Sequence, residues 1–176
     1  MKILIRNIND NDLSNVKELN ELLLPENYPL EIWEDWFNKG KEFSFIAIDN
    51  LTVIGYILCD GKKIISLAIK SEYRHNGIGK QLILNCLSVI ENNIGLYCRI
   101  SNLIAINLYK NCGFNIYKKI NGYYQSLDKE KLREDGYLMV RKYKKINEFK
   151  TEIDLIKDNQ INLNKLRKEL KLFKKI

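Results

Sequence analysis

The chain has 176 residues, of which 45% are hydrophobic and 29% charged, with a formal net charge of +7. This length fits one globular domain able to bury its own core. We expect neither a membrane span nor a signal peptide, because no apolar run is long enough to cross a membrane and residues 1–8 lack a basic start and an apolar stretch. A single histidine, His75, and four scattered cysteines without a Cys-x-x-Cys pair argue against a zinc site or a disulfide framework, so we expect a reduced, cytoplasmic protein without a metal.

The excess positive charge lies at the C-terminal end of the chain. Residues 1–140 hold 17 basic and 17 acidic side chains, whereas residues 141–176 hold 12 and 5. This asymmetry predicts a neutral domain over residues 1–143 and a basic amphipathic helical tail over residues 144–176. Ile156, Leu163 and Leu170 recur every seven residues and predict an apolar seam along the tail. The charge asymmetry could instead reflect a general abundance of lysine. The apolar seam could instead fold back on the domain.

Apolar periodicity predicts a mixed α/β fold with a central sheet. The predicted elements are, in chain order, the strand Lys2–Ile8, a helix from Leu13 to Leu23, the helix Leu30–Lys39, the strands Phe43–Ile48, Val53–Cys59 and Lys62–Ile69, a helix from Gly79 to Ile90, the strand Leu96–Ile100, the helix Asn102–Asn111, and the strands Phe114–Lys119 and Gly136–Tyr143.

Short polar residues and glycines predict where these elements begin and end. Asp10 or Asp12 is expected to cap the first helix, and Gly113 is expected to end the last one. The pair Asp60-Gly61 is typical of a two-residue hairpin, so the three consecutive strands are predicted to form an antiparallel meander. Residues 122–135 are predicted to form a loop.

An Arg-x-x-Gly-x-Gly sequence, from Arg74 to Gly79, lies between a buried strand and a helix. Glycines let backbone N–H groups approach a ligand, and a helix N-terminus favours negative charge, so this loop is typical of a pyrophosphate site. Leu82 stands where a Rossmann fingerprint has its third glycine, and Gln81 where a Walker loop has Ser or Thr. For this segment alone, an ordinary glycine turn before a helix stays open.

A second motif follows one strand and helix later, with Asn102, Ala105, Tyr109 and the pair Gly113-Phe114. Together the two motifs resemble those of the GNAT superfamily of acetyl-CoA-dependent N-acetyltransferases, over about Ile3–Tyr143. The resemblance implies a mixed, mostly antiparallel sheet flanked by helices, and acetyl-CoA as co-substrate. It implies coenzyme contacts from Leu67, Ala68, Ile69, Arg74, His75, Asn76, Gly77, Ile78, Gly79, Lys80, Asn102, Asn107 and Tyr109.

Three further segments narrow this resemblance. Residues 24–29, LPENYP, resemble the acceptor loop in catalytic subunits of NatA-type protein N-terminal acetyltransferases. Residues 122–124 resemble the tyrosine pair that closes their peptide groove, and residues 135–139 resemble their final strand. The resemblance implies peptide contacts from Leu24, Pro25, Glu26, Tyr28, Tyr123 and Tyr124. The alternative is an ordinary helix-end loop and an ordinary aromatic rim.

The chain departs from the family by lacking a histidine base, since Lys63 and Tyr97 stand at the places where relatives often have one. A free α-amine, with a pKa of about 7.7–8.0, needs a weaker base than a lysine ε-amine near about 10.4. Glu26 is expected to position the amine or to accept its proton through water, and Tyr97 or Tyr124 to relay that proton. Resemblance to the family assigns Tyr109 to protonate the departing thiolate.

These residues predict acetyl transfer from acetyl-CoA to the α-amino group of protein N-termini, by direct attack in a ternary complex and during translation. The alternatives are a GNAT enzyme that acts on a small-molecule amine or an internal lysine, and a non-catalytic GNAT-like binding subunit. Resemblance to NatA-type enzymes implies a large helical-repeat auxiliary subunit, with ribosome association through the basic tail. We expect no membrane partner.

Overall fold

The structure, a computed structural model, describes residues 3–125 and 133–143. Its strands are β1 (Leu4–Asn7), β2 (Phe45–Asp49), β3 (Thr52–Cys59), β4 (Lys63–Ile69), β5 (Ile94–Arg99), β6 (Asn115–Gln125) and β7 (Arg133–Arg141). Its helices are α1 (Leu13–Leu23), α2 (Leu30–Gly40), α3 (Ile78–Ser88) and α4 (Leu103–Asn111). No helix in the described part of the chain is long and apolar enough to cross a membrane. The predicted tail over 144–176 lies outside the described residues.

The seven strands form one sheet in the order β1-β2-β3-β4-β5-β7-β6. Every neighbouring pair is antiparallel except β4 and β5. This topology confirms the predicted fold class and element order, including the antiparallel meander of β2, β3 and β4. Because the single parallel pair lies inside the sheet, any gap between those strands opens within the molecule rather than at its edge.

Helices cover both faces of the sheet. On one face α1 and α2 bury Trp33, Phe37 and Tyr56 almost completely. On the other face α3 and α4 pack over a core that contains Leu82 and Ile106. Each fully buried side chain of this size contributes about 1.5–3 kcal/mol of transfer free energy, so both layers hold the sheet firmly. We call these two cores the α1–α2 core and the α3–α4 core.

β4 and β5 run parallel but pair over two positions, Lys63 with Gly95 and Ile64 with Leu96. β4 then continues to Ile69 without pairing to β5. Backbone N–H and C=O groups in a strand need partners, and here they face a gap instead of a neighbouring strand. The diverging strands therefore leave polar backbone groups available to a ligand.

A bulge in β4 decides which side chains face each core. Leu58 of β3 lies opposite Ser66, whereas the next residue, Cys59, lies opposite Ile64. Ile65 is therefore the extra residue, and it packs against the α1–α2 core while Ile64 is buried in the α3–α4 core. Bulges commonly re-aim side chains next to functional sites. Here two successive residues, at positions 65 and 66, face the same side of the sheet.

The start of α1 differs from the prediction. Asp12 stands at the N-cap position of α1, but its side chain makes no cap hydrogen bond, and Asp10 lies in the short 3-10 turn before it. Asn9 caps that 3-10 turn by accepting a hydrogen bond from the Asn11 N–H at 3.0 Å. Asp12 is buried, and its carboxylate accepts two hydrogen bonds from Arg6, at 2.7 and 2.9 Å. A buried charge needs a charged partner, so the Asp12 carboxylate binds Arg6, and also the Asn9 N–H at 2.8 Å, rather than the first N–H groups of α1.

The predicted loop over residues 122–135 is wrong at both ends. β6 continues to Gln125 and β7 begins at Arg133, so the tyrosine pair lies within a strand. The pairing of β6 with β7 shifts between Ile120 and Tyr124, and Gly122 has φ +57°. This bulge interrupts the two-residue alternation that marks a strand in sequence. The predicted two-residue hairpin is also wrong, because three residues, 60–62, separate β3 from β4.

Gly113 ends α4 as predicted. It has φ +87°, which favours glycine. Its N–H donates to the Lys110 carbonyl at 3.0 Å, and the Phe114 N–H donates to the Tyr109 carbonyl at 3.0 Å. These two bonds form a Schellman motif. The motif turns the chain directly into β6, and this places Phe114 in the α3–α4 core.

Candidate active site

The diverging ends of β4 and β5 open into a cleft of about 890 Å³. One half is lined by β4 residues 67–69, the loop before α3 and the N-terminal part of α4; we call it the phosphate-loop half. The other half is lined by the α1–α2 loop, β5 residues 97–99 and the tyrosine pair of β6; we call it the tyrosine half. A cleft of this size fits an organic ligand.

The two glycines of the phosphate loop have different tasks. Gly77 has φ +76°, and a Cβ added there would meet no atom within 4 Å. Its task is therefore conformational, because the left-handed region disfavours other residues. A Cβ on Gly79 would lie 3.1 Å from the side chains of both Ile69 and Leu108. Gly79 thus lets α3 approach β4 and α4 closely.

Hydrogen bonds within the loop hold its shape. Arg74 Nε donates to the Ile69 carbonyl at 3.0 Å, and Asn76 Nδ2 donates to the Tyr73 and Arg74 carbonyls at 3.3 and 3.1 Å. The first N–H groups of α3 have no acceptor within the helix, and Arg74 and Lys80 line the cleft beside them. Donors and cations together suit an anionic ligand such as a pyrophosphate.

Two predicted coenzyme contacts do not line the cleft. Asn76 uses its side chain inside the loop, as described above, and Asn107 lies on the exposed side of α4. Asn107 precedes Tyr109 by two residues, which places the two side chains on opposite sides of a helix. Asn102 does line the cleft, and its Oδ1 also accepts a hydrogen bond from the Ala105 N–H at 3.1 Å as the cap of α4. The other predicted coenzyme residues all line the cleft.

Tyr109 reaches the cleft from α4 as predicted. Its side chain is 8% exposed, and its ring packs edge-on against Phe114 with 6.0 Å between centroids. Burial raises the pKa of Tyr109 above its ordinary value. The hydroxyl therefore keeps its proton near neutral pH and is a hydrogen-bond donor.

The tyrosine half is built from stacked aromatic rings. Tyr97 and Tyr123 stack with centroids 4.4 Å apart, and Tyr124 meets Tyr123 edge-on at 4.8 Å. Gly136 of β7 makes room for the pair, because a Cβ there would lie 3.1 Å from the Tyr124 ring. Across the cleft, Tyr28 packs edge-on against Trp36 at 4.8 Å. The six residues predicted to contact a peptide all line this cleft.

Arg99, which the sequence did not single out, lies at the centre of the tyrosine half. Its Nε and Nη2 donate to Glu26 Oε1 at 3.2 and 2.5 Å. Its Nη1 donates to Glu134 Oε2 and to the Gln125 carbonyl, both at 2.8 Å. The guanidinium carbon also lies 4.5 Å from the centroid of the Tyr124 ring. Arg99 therefore joins the α1–α2 loop to the ends of β6 and β7.

Glu134 completes this network from the other side. Its Oε1 accepts hydrogen bonds from the Ser101 hydroxyl at 2.5 Å and from the Ser101 N–H at 3.2 Å. The hydrogen bonds from Ser101 and Arg99 hold the pKa of Glu134 below its ordinary value. The carboxylate is therefore ionised near neutral pH and keeps Arg99 in place.

A buried polar cluster around Asn20 fixes the α1–α2 loop. Asn20 is 2% exposed, and its Nδ2 donates to the Glu26 carbonyl at 2.7 Å and to Asn27 Oδ1 at 3.0 Å. Its Oδ1 accepts hydrogen bonds from the Tyr56 hydroxyl at 2.7 Å and from Ser66 Oγ at 3.2 Å. Periodicity alone allowed Asn20 as one position of the apolar stripe of α1. The amide instead positions Glu26 through its backbone.

Cys98 also lines the cleft, beneath Tyr97 and Arg99. Burial, with a smaller effect of the negative charge on Glu134, raises the pKa of Cys98 to about 11. The thiol is therefore protonated near neutral pH. A protonated thiol is a poor nucleophile, so the cleft does not favour a covalent acyl-cysteine.

Comparisons with known proteins agree with this geometry. The model of the Acetyltransferase (GNAT) family matches residues 11–114. An N-alpha-acetyltransferase of Saccharolobus solfataricus is 30% identical over 158 residues, covering 78% of this chain and 91% of the relative. The NatC complex bound to Gag peptide and CoA gives a TM-score of 0.73 at 26% identity, covering 82% of this chain and 100% of that one. Arabidopsis thaliana Naa50 in complex with the bisubstrate analogue CoA-Ac-MVNAL gives a TM-score of 0.67 at 25% identity, and the match covers 81% of this chain and 100% of that one.

Proposed function

Because the chain belongs to the Acetyltransferase (GNAT) family, we propose that it transfers the acetyl group of acetyl-CoA to the free α-amino group of protein N-termini. The observation that carries this proposal is the cleft between β4 and β5, with an anion-binding half and an aromatic half. The name of the Saccharolobus relative and the bisubstrate analogue on Naa50 support it.

The residues of the phosphate-loop half fit acetyl-CoA. The loop from Arg74 to Lys80 offers backbone N–H groups and two cations to the pyrophosphate. Residues 67–69 pair with β3 on one side but not with β5 on the other. Apart from the Ile69 carbonyl, which accepts from Arg74, their backbone groups on the β5 side offer hydrogen bonds to the amides of a pantetheine arm, in the way that a sheet edge accepts an extended chain. Acetyl-CoA supplies the thioester carbonyl carbon that the amine attacks.

We propose direct transfer without an acyl-enzyme, because the Cys98 thiol stays protonated. The amine nitrogen bonds to the carbonyl carbon, the carbon–sulfur bond breaks, and the nitrogen gives up one proton. We assign Tyr109 to donate a hydrogen bond, and then a proton, to the departing sulfur, since its hydroxyl is protonated and lines the cleft. General acid catalysis of this kind contributes about 10²–10⁴-fold in rate.

We assign Glu26 to orient the α-amine. Arg99 occupies Oε1 of this carboxylate, so Oε2 is the oxygen we assign to the amine. Tyr97 and Tyr124 surround the same region, and we assign them, with water, to carry the departing proton away. Burial raises the pKa of Tyr124, so it relays a proton only by donating its own as it accepts another.

The charge of the tyrosine half favours a peptide over a small polyamine. Among the described residues, the carboxylate that lines it, Glu26, and the neighbouring Glu134 both bind the guanidinium of Arg99. A polyamine site would need acidic groups free to meet several ammonium groups, whereas aromatic walls suit peptide backbone and apolar side chains. We therefore favour protein N-termini over small amines.

The finer parts of the proposal concern where the enzyme acts. We propose a cytoplasmic, co-translational NatA-like enzyme that works with a large auxiliary subunit; a related solved structure is that of a NatC complex. The basic charge of residues 144–176 would favour ribosomal RNA near this subunit. Deleting residues 152–176 is expected to preserve peptide acetylation and to weaken ribosome co-sedimentation at low salt, whereas an insoluble truncated chain would contradict this role.

Mass spectrometry of a short-peptide panel incubated with the full chain and acetyl-CoA tests the proposed function. Each peptide carries a free N-terminus and one internal lysine, and its matched control has a formylated N-terminus. We expect acetylation at the α-amine alone and no product from the formylated controls. Acetylation at the lysine would support the internal-lysine alternative. No acetylation of any peptide would favour a binding subunit and contradict the proposal.

A further inference from the structure

Lys63, the first residue of β4, lines the cleft between β4 and β5. The next residue, Ile64, is buried in the α3–α4 core. Side chains alternate along a strand, so Lys63 points to the opposite face, toward the α1–α2 loop. Its backbone is held in place, because its N–H donates to Asp60 Oδ1 at 2.7 Å.

The neighbouring strand leaves space for the ammonium group on this face. Gly95, which pairs with Lys63, has no side chain. Leu96 and Cys98 are buried in the α3–α4 core, so Tyr97 lies on the same face as Lys63. Tyr97 in turn stacks on Tyr123. Lys63 therefore extends from the same face of the sheet as the aromatic wall that we assign to the acceptor, and both line the cleft.

No carboxylate in the part of the chain that the structure describes neutralises this ammonium group. Glu26, which lines the tyrosine half, and the neighbouring Glu134 are both bound to Arg99. Over residues 3–125 and 133–143, no carboxylate lies within 4.0 Å of Lys63 Nζ. A cation that lines a partly buried cleft without a partner favours a ligand of opposite charge. The occupant of this half must therefore satisfy two demands, an amine at Glu26 and an anion at Lys63.

We propose that Lys63 is a specificity residue that binds an Asp or Glu side chain within the first three residues of the substrate. This inference rests on the proposed function, because it names the class of N-terminus that the same site selects. An acidic side chain near a free α-amine meets both demands at once. Because Lys63 contacts the side chain and not the reacting amine, its effect is expected in KM more than in kcat.

Steady-state acetylation of matched peptides tests the inference. The peptides differ only by Glu, Gln or Lys at position 1, 2 or 3, and the full chain is compared with Lys63→Met, Lys63→Arg and Lys63→Glu. At one of these positions we expect kcat/KM for Glu to exceed that for Gln by about tenfold, the equivalent of about 1.4 kcal/mol. Lys63→Met is expected to abolish this ratio, Lys63→Arg to keep it, and Lys63→Glu to favour the Lys peptide.

Lys62→Met is the matched control, because Lys62 is exposed and does not line the cleft. It is expected to keep the wild-type ratio. An unchanged Glu-to-Gln ratio in Lys63→Met would overturn the inference. So would an equal loss of kcat on every peptide with an altered pH profile, which would make Lys63 the base. Acetylation of Lys63 itself, found by mass spectrometry together with equal rates for Glu and Gln, would make it a modification site instead.

The test separates this inference from the proposed function. α-Acetylation of Glu and Gln peptides at equal rates would leave the proposed function intact and overturn only the role of Lys63. Absence of α-acetylation from every peptide would overturn both.

Discussion

The two halves of the cleft are built in different ways. The phosphate-loop half takes most of its lining from one short stretch, residues 67–80, and depends on backbone groups and on Gly77 and Gly79. The tyrosine half joins distant segments through Arg99, which binds Glu26 at a separation of 73 residues and Glu134 at a separation of 35. One half is local and made of backbone, and the other is long-range and made of side chains.

Because of this difference, the two halves should respond differently to substitutions. Backbone N–H groups bind an anion with little dependence on the identity of the neighbouring side chains. Coenzyme binding should therefore change only when a substitution alters the conformation or the charge of the loop. A side-chain network loses its geometry when one member is removed. Substitutions should therefore separate coenzyme affinity from acceptor turnover.

The largest effect is expected from Gly77→Glu. Acetyl-CoA at about 100 times its dissociation constant should stabilise the wild type by about 2.7 kcal/mol, measured as a rise in melting temperature. Glu at this position faces open space and places a negative charge at the proposed pyrophosphate site, so the rise should disappear.

Gly77→Ala is the matched control, since Ala and Glu share the cost of positive φ, about 1–2 kcal/mol. Ala should keep most of the rise with acetyl-CoA. Equal loss in both variants would show that the conformation of Gly77, and not charge at the loop, decides binding.

Arg99→Met should slow turnover by about 10²-fold at saturating acetyl-CoA, because a misplaced positioning group costs about this much. Glu26 and Glu134 lose their shared partner, while the phosphate-loop half is untouched. Steady-state kinetics and thermal melts with acetyl-CoA measure the two properties separately. Arg99→Lys keeps the charge but not the forked geometry, so its turnover should lie between those of the wild type and Arg99→Met. Loss of the acetyl-CoA stabilisation in Arg99→Met would contradict the separation of the two halves.

Tyr109→Phe should slow turnover by about 10²-fold if the hydroxyl protonates the leaving sulfur. The ring still packs against Phe114, so the melting temperature should change little. Tyr117→Phe is the matched control, because Tyr117 is 76% exposed and its change should leave the rate unaltered. Unchanged turnover in Tyr109→Phe would remove the hydroxyl from the mechanism, and a large loss of stability would assign Tyr109 to the core instead.

Asn20→Ala should lower the free energy of unfolding by about 1–3 kcal/mol, because it leaves buried partners without a hydrogen bond. Urea denaturation measures this loss. The α1–α2 loop should also loosen, so KM for the peptide should rise several-fold. Asn15→Ala, at an exposed position of the same helix, α1, should change neither quantity. An unaltered peptide KM in a destabilised Asn20→Ala protein would show that the cluster supports the fold alone.

The smallest effect is expected at the Arg6–Asp12 ion pair, far from the cleft lining. Burial acts to raise the pKa of Asp12, but hydrogen bonds from Arg6 and the Asn9 N–H outweigh it and hold that pKa below its ordinary value. The stabilisation is therefore present above the unfolded pKa of about 3.9 and is lost as pH falls through the folded value.

Unfolding free energies of the wild type and Asp12→Asn, measured from pH 7 to pH 3, test this dependence. The wild type should be more stable by about 1.5–3 kcal/mol near pH 7, and the difference should shrink below about pH 4. A constant difference over the whole range would show that ionisation of Asp12 contributes nothing. Acetylation at pH 7 should be unchanged wherever Asp12→Asn is folded.

The phosphate-loop half could be predicted from sequence because its information is local. Gly77 and Gly79 stand a fixed distance from a buried strand and a helix start, and the structure brings them to the cleft. The misplaced residues, Asn76 and Asn107, lie within the correct motifs. Spacing identified their elements but did not reveal which way each side chain points.

The tyrosine half was predicted only in part. Glu26 and the tyrosine pair came from resemblance, whereas Arg99 and Asn20 were missed. Arg99 finds its partners across 73 and 35 residues, and Asn20 bonds to Ser66 across 46. No local periodicity encodes such pairs. The end of β6 was missed as well, because its bulge breaks the alternation on which strand prediction depends.

The central claim is that the phosphate-loop half and the tyrosine half form one continuous site for acetyl-CoA and a free α-amine. Calorimetric titration with two conjugates of CoA and the same peptide tests it most directly. One conjugate is joined through the α-nitrogen, and the other through a lysine side-chain nitrogen. The α-linked conjugate should bind at least about 100-fold tighter than acetyl-CoA, since the binding free energies of two ligands joined in one site combine. The ε-linked conjugate should bind about as tightly as acetyl-CoA, and an α-linked conjugate with no advantage over acetyl-CoA would contradict the claim.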